Sequence, residues 1–295
     1  MKEIVVISGK GGTGKTSITA SFAVLAERPV IADCDVDAAD LHLVLSPEVR
    51  ERSDFRSGHE AFIRQNACSG CGDCMELCRF DAVHEADASG GRKKFYIDPI
   101  SCEGCGVCVR FCPEQAIDFP ESLCGEWMIS DTRCGPMVHA RLGVAAENSG
   151  RLVFTVRKEA RRIAEEKNHP LILVDGPPGI GCPVIASVTG ASLVLVVTEP
   201  TVSGEHDLER VLSLTRHFHI PTAICVNKWD LNPEMTDRIE EKAKQAGALP
   251  AGRVRYDPSV TRAQIMKKSV VETGGPGAED IRNIWKQLEL WEVSK

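Results

Sequence analysis

The sequence predicts an α/β fold, a parallel sheet covered by helices on both faces, interrupted once by a small cysteine-rich α+β module. Three observations predict it. Short all-apolar runs alternate with helical stretches, the pattern of parallel strands buried on both faces. A glycine-rich segment follows the first of these runs. Between about residues 60 and 120 the composition changes abruptly and a cysteine pattern repeats at a spacing of 34 residues.

Taken in order, residues 3–8 (Glu-Ile-Val-Val-Ile-Ser) read as a buried strand, β-branched and ended by Gly9. Residues 15–27 have helical character, and Val30-Ile31-Ala32 forms a second short strand ending at Asp33. The polar stretch 46–60 reads as irregular and marks a boundary. After the cysteine-rich segment, Cys124 to Gly150 is expected to be loop-rich, with His139 as a linker histidine, and a charged helix follows near 151–168. Strands then return at 171–175, 192–198 and 222–227, separated by helices near 204–218 and 233–247. Neither half alone has enough strands for a sheet. One discontinuous domain is therefore expected over 1–58 and 121–295, with an insert at 59–120.

The 295 residues are 43% hydrophobic and 26% charged, ordinary values for a globular protein. A net charge of −7 argues against unaided binding to nucleic acid or to an anionic membrane. No apolar run approaches the ~18 residues of a membrane span. The N-terminus lacks the apolar core and cleavage site of a signal peptide, so a cytoplasmic location is expected.

The segment Gly9-Lys10-Gly11-Gly12-Thr13-Gly14-Lys15-Thr16 fits the Walker A pattern between a strand and a helix. Its glycines let backbone N–H groups close on phosphate oxygens, with the helix N-terminus behind them. Lys15 would reach the β- and γ-phosphates, the Thr16 hydroxyl would hold Mg²⁺, and Ser17 completes the nucleotide-binding run.

Lys10 is a second lysine at the start of this loop, and it makes the loop resemble the deviant Walker A ATPases, among them MinD, ParA, Mrp and the nitrogenase iron protein. Asp33-Cys34-Asp35 resembles that family's first switch. Leu173-Val174-Asp175-Gly-Pro-Pro-Gly-Ile-Gly181 resembles its Walker B strand and second switch, and Asn227-Lys228 its base-recognition position. The resemblance covers roughly residues 1–45 and 150–270. It implies a MinD-like (SIMIBI) P-loop NTPase fold and a Mg-ATP site in a nucleotide-sandwich homodimer, or a heterodimer with a similar ATPase. It also implies hydrolysis that is slow without a partner. Carried over, Lys10 reaches the partner's phosphates and Lys15 the bound ones. Asp35, rather than Asp37, activates water, Asp33 and Asp175 attend Mg²⁺ with Thr16, and Asn227 meets the base.

Eight of the thirteen cysteines fall in two runs, Cys68-x2-Cys71-x2-Cys74-x3-Cys78 and Cys102-x2-Cys105-x2-Cys108-x3-Cys112-Pro113. This is the ligand spacing of a bacterial two-cluster ferredoxin, in which the last cysteine of each run ligates the other cluster. Two 4Fe–4S clusters are thus expected, one on Cys68, Cys71, Cys74 and Cys112 and one on Cys102, Cys105, Cys108 and Cys78. Zinc also uses C-x2-C pairs, but does not require the duplicated four-cysteine pattern. The five remaining cysteines (Cys34, Cys124, Cys134, Cys182, Cys225) share no ligand spacing and read as buried thiols.

Together these readings predict an ATPase whose nucleotide state gates electron transfer from the clusters to a protein redox partner. Two other functions are open at this stage. One is a non-redox regulatory or positioning switch of the MinD/ParA kind, with the insert as a docking surface. The other is an iron–sulfur carrier of the Mrp kind, disfavoured because no Cys-x-x-Cys pair follows residue 112. A C-terminal helical pattern (Ile281, Ile284, Trp285, Leu288, Trp291) is expected to pack on the core rather than on a membrane.

Overall fold

The computed structural model describes residues 1–86, 93–143 and 149–293, with side chains through residue 290; Trp291 therefore lies outside the described side chains. The chain runs through β1 (Lys2–Ser8), α1 (Lys15–Leu25), β2 (Val30–Asp33), α2 (Leu41–Leu45) and β3 (Glu48–His59). It continues through β4 (Phe62–Ile63), α3 (Asp73–Leu77), β5 (Val83–Ala86), β6 (Lys94–Ile97), α4 (Val107–Phe111), β7 (Ile117–Asp118), β8 (Glu121–Asp131) and β9 (Pro136–Leu142). Then come α5 (Ser149–Glu166), β10 (Leu171–Pro178), α6 (Cys182–Val188), β11 (Leu193–Thr198), α7 (Val202–His217) and β12 (Thr222–Asn227). The chain ends with α8 (Pro233–Gln245), β13 (Leu249–Val254), α9 (Pro258–Ile265), α10 (Val270–Thr273) and α11 (Pro276–Val293).

One compact unit comprises Met1–Ser53, Glu126–Leu142 and Ser149–Lys295, and a second is centred on Asp54–Gly125. The large sheet has the order β13-β12-β11-β1-β10-β2-β9-β8-β3, and its pairings from β13 to β9 are all parallel. Strands β1, β11 and β12 are almost wholly buried around apolar centres because helices cover both faces. Order β11-β1-β10 reverses the chain direction of growth beside β1, a switch point at which the loops after parallel strands part to form a cleft.

Helix α11 buries Ile281, Ile284, Trp285 and Leu288 in the main core, where the Trp285 ring lies 5.0 Å from Phe22 of α1. Burial of this apolar stripe fixes the helix on the nucleotide-domain core.

Three stretches differ from the sequence reading. Residues 48–59 form a strand although they are polar, because an edge strand needs no apolar alternation when much of it faces water. The expected loop from Cys124 contains β8 and β9, joined by a turn in which the Thr132 N–H donates to the Gly135 carbonyl at 3.0 Å. His139 is accordingly no linker residue. It sits buried on β9, with Nε2 2.8 Å from Ser130 Oγ. Burial pushes its pKa down to about 4, with His42 and Arg52 adding to the effect and Glu126 opposing it. A base whose folded pKa is depressed takes up its proton more readily unfolded, so stability falls as pH drops from about 6.5 towards 4. His139→Gln should flatten that slope by about 2 kcal/mol between the two limits, read from urea unfolding at pH 7 and pH 4.5.

The ferredoxin-like domain expected at 59–120 requires correction. The segment forms two two-stranded antiparallel sheets, β4-β7 and β5-β6, and two five-residue helices, α3 and α4. Among the described residues, no group of three or more His, Cys, Asp or Glu side chains could hold a metal ion. The x2 spacing guarantees that thiols share a loop, whereas ligation needs their sulfurs to converge as thiolates. All thirteen cysteines are free. Cys68, Cys71, Cys74 and Cys112 line one small cavity, and Cys78, Cys102, Cys105 and Cys108 line another. Burial and then Cys68 push the Cys74 thiol up to about 11, and burial and then Cys102 raise Cys108.

Candidate functional site

The cleft over the C-terminal ends of the parallel strands has a volume of about 730 Å³ and is lined by the P-loop, Asp35, Pro178, Asn227 and the β13–α9 connection. Gly14 caps α1 with φ +87° and contributes no side-chain acceptor, so the first helical N–H groups face the cleft. The close approach is equally specific: a Cβ at Gly14 would lie 2.3 Å from Asn227 Nδ2. Asn227 ends β12, donates from Nδ2 to the Thr13 carbonyl at 2.8 Å, and accepts the Lys228 N–H at 3.0 Å. It thus fastens the P-loop to the far strand.

The sheet register sets Asp175 beside both Val6 of β1 and Asp33 of β2, so both carboxylates arise at one level on neighbouring strands. Lys15 Nζ lies 3.1 Å from Asp35 Oδ2 and 3.2 Å from Asp175 Oδ1. The Thr16 hydroxyl donates to Asp175 Oδ2 at 2.8 Å, and the Thr19 hydroxyl to Asp175 Oδ1 at 2.9 Å. Burial alone would lower the Lys15 pKa, but Asp175, Asp35 and Asp33 together hold it above the ordinary lysine value. Burial raises Asp35, with Lys15 opposing. Asp33 is raised well above the usual carboxylate range by burial and then by Asp175, and its Oδ2 is buried without a hydrogen-bond partner. Asp37 and Asp40, the other acidic residues of this loop, are exposed.

Lys10 stands apart from this cluster. Its Nζ lies 3.1 Å from Ser203 Oγ, 3.5 Å from Thr201 Oγ1 and 3.5 Å from Glu199 Oε2. Of the P-loop residues, Gly11, Gly12, Thr13, Gly14, Lys15, Thr16 and Ser17 line the cleft, whereas Gly9 packs against Asp207, where a Cβ would fall 2.4 Å from Asp207 Cβ.

Sequence reasoning missed several residues of the site. Thr19 lies one helical turn beyond Lys15, and that spacing was the signal for it. Val254, Tyr256, Asp257, Val260 and Gln264 line the cleft from the β13–α9 side, and the Gln264 side-chain amide donates to Ser17 Oγ at 2.8 Å. Their strand was hidden by Pro250 and Gly252, residues that weaken a strand reading, although an edge position tolerates both.

A P-loop over the switch point of a parallel sheet, with carboxylates from two adjacent strands at its lysine, defines a nucleotide-binding ATPase. The family model of the CobQ/CobB/MinD/ParA nucleotide-binding domain matches residues 4–270, and the chain belongs to that family. A protein of Methanocaldococcus jannaschii, the uncharacterized protein MJ0578, is 33% identical over 292 residues, 97% of this chain and 96% of that one. Among solved structures, the Pyrococcus horikoshii septum site-determining protein MinD complexed with Mg-ADP is similar with a TM-score of 0.59 at 15% identity, covering 97% of this chain and 95% of its own. The Aquifex aeolicus MinC:MinD cell division complex gives 0.57 at 18%, covering 98% and 96%.

These findings also correct the resemblance drawn from the cysteines. The family model runs through the cysteine-rich stretch, and the similar structures cover almost the whole chain. With no metal-holding group among the described residues, the two 4Fe–4S clusters, and the iron–sulfur electron-transfer function built on them, are not supported. No helix among the described residues is long and apolar enough to cross a membrane.

Proposed function

We propose that this ATPase is a regulatory or positioning switch of the MinD/ParA kind, in which Mg-ATP joins two subunits and the joined state engages a protein partner. The observation that carries this reading is the ion pairing of Lys15 with Asp35 and Asp175. A phosphate arriving at the P-loop competes with both carboxylates for the same ammonium, so binding releases the Asp35 loop. Nucleotide state is thereby converted into a change in the segment from Asp33 to α2.

In this reading the N–H groups of Gly11 to Thr16 and the Lys15 ammonium bind the phosphates, and Asn227 orients the base end. Thr16 and Asp175 would hold Mg²⁺. Their oxygens stand 2.8 Å apart, and a Mg²⁺ bound with phosphates needs only one or two protein ligands. Held there, Mg²⁺ would supply neutralisation of the charge that develops on the phosphates. Asp35, freed from Lys15, orients the attacking water, and the raised, partnerless Asp33 completes the carboxylate group near the ion. Lys10 reaches the phosphates of a second subunit, an arginine-finger-like contribution that keeps isolated subunits slow.

The similar structure of a MinC:MinD complex supports a protein partner for this chain by analogy. Sedimentation tests the reading. The protein should be dimeric with Mg²⁺ and a non-hydrolysable ATP analogue and monomeric with ADP, and Lys10→Ala should stay monomeric with both. Identical sedimentation with the two nucleotides, at saturation, would exclude an ATP-driven dimer.

A further inference from the structure

Glu199 follows β11 directly and carries two lysines on one carboxylate. Oε2 faces Lys10 Nζ at 3.5 Å, while Oε1 pairs closely with Lys228 Nζ. The carboxylate is only 14% exposed, and each lysine side chain 31%. The two lysines come from two separate segments that meet at this carboxylate. Lys10 belongs to the P-loop, and Lys228 follows the Asn227 that holds the Thr13 carbonyl. Lys228 adopts φ +57°, a left-handed conformation that is uncommon for a long side chain, and its own N–H is bound to the Asn227 side chain.

We infer that Glu199 is a positioning residue that holds Lys10 retracted on its own subunit, in competition with Lys228 for the same carboxylate. The inference rests on the proposed dimer, in which Lys10 must leave this position to act across the interface. While Glu199 grips Lys10, the Ser203 and Thr201 hydroxyls supply the remaining acceptors, and the ammonium is fully used within one subunit. When Lys228 takes more of the carboxylate, Lys10 is freed. A base that presses on Asn227 acts on the adjacent Lys228, which links occupation of the base end to release of the P-loop lysine.

The competition gives the two partners opposite signs. Glu199→Gln removes the grip and should lower the protein concentration for half-maximal ATPase activity about two- to fivefold, the range of a partly exposed ion pair. Lys228→Met leaves the carboxylate wholly to Lys10 and should raise that concentration by a similar factor. Glu199→Asp should behave as the unsubstituted protein or lie between. Nucleotide affinity, read with a fluorescent ATP analogue at protein concentrations far below dimerisation, should change little in the two Glu199 variants. A shift of both variants in the same direction, or none in either, overturns the inference while leaving the dimer intact. Specific activity of the unsubstituted protein that does not vary with its concentration would instead remove the dimer itself. A fall in nucleotide affinity that accounts for the activity change would mark Glu199 as structural and overturn the inference as well.

Discussion

Lys15→Met should both abolish detectable nucleotide binding and destabilise the nucleotide-free protein. The first effect follows from loss of the ammonium that pairs with Asp35 and Asp175 in the cleft and would meet the phosphates. The second is less obvious, because removing a binding residue often stabilises an apo protein. Here Lys15 is 6% exposed and compensates Asp35 and Asp175 directly. Breaking a buried ion pair from one side leaves uncompensated charge and costs 3–5 kcal/mol in a closed core. The open cleft and the readiness of Asp33 and Asp35 to keep protons reduce this to about 2–3 kcal/mol. The sign of the pH dependence follows. Carboxylates with raised folded pKa values bind more protons folded than unfolded, so the variant loses stability as pH rises above the unfolded value near 4. Chemical unfolding at pH 5 and pH 8 should therefore show a larger deficit at pH 8. An equal deficit at both would mean that Lys15 contributes packing rather than charge.

Gly14→Ala should reduce nucleotide affinity about 100-fold and lower stability by about 2–4 kcal/mol, the sum of left-handed strain and a forced displacement. At φ +87° an L side chain is strained wherever it points, and this one meets Asn227 Nδ2 at 2.3 Å. The clash pushes away the amide that fastens the P-loop through Thr13. Combining Gly14→Ala with Asn227→Ala separates the two parts. The double variant should recover the steric part but retain the backbone strain, so its loss should be smaller than the sum of the two single losses. Full additivity, measured by thermal unfolding and titration calorimetry, would show that the two residues do not communicate.

How far the site was legible depended on whether chemistry or packing chose each residue. Lys15, Thr16 and the glycines around them follow a spacing dictated by phosphate geometry, so the strand–loop–helix context was readable from residues 3–27. Asp33 ends β2 and Asp175 follows the apolar run that opens β10, and the register that sets them side by side follows from those strands being parallel. The Asp35 contact to Lys15 could be narrowed from the acidic loop because the structure exposes Asp37. The edge of the sheet was unreadable. Strands β3, β8 and β9 are polar or interrupted, since strands near a sheet edge need not be apolar on both faces, and His139 was mistaken for a linker residue for that reason. Cys182 shows the same limit at the level of one residue. A thiol outside any ligand spacing reads as buried, yet it opens α6 exposed to solvent.

The cysteine runs show a different gap. Four thiols line each of two small cavities, with the last cysteine of each run beside the other run. Spacing says nothing about whether the sulfurs meet as ligands, and no metal-holding group occurs among the described residues.

Hydrogen exchange of the segment from Asp33 to Leu45 is the measurement closest to the coupling of nucleotide to the switch loop. It should be compared without nucleotide, with ADP, and with Mg²⁺ and a non-hydrolysable ATP analogue. Competition of phosphate with Asp35 for Lys15 predicts a change of protection in this segment on binding, larger with the ATP analogue than with ADP. Unchanged exchange across Asp33–Leu45 at saturating ATP analogue, with protection of the P-loop proving occupancy, would contradict it.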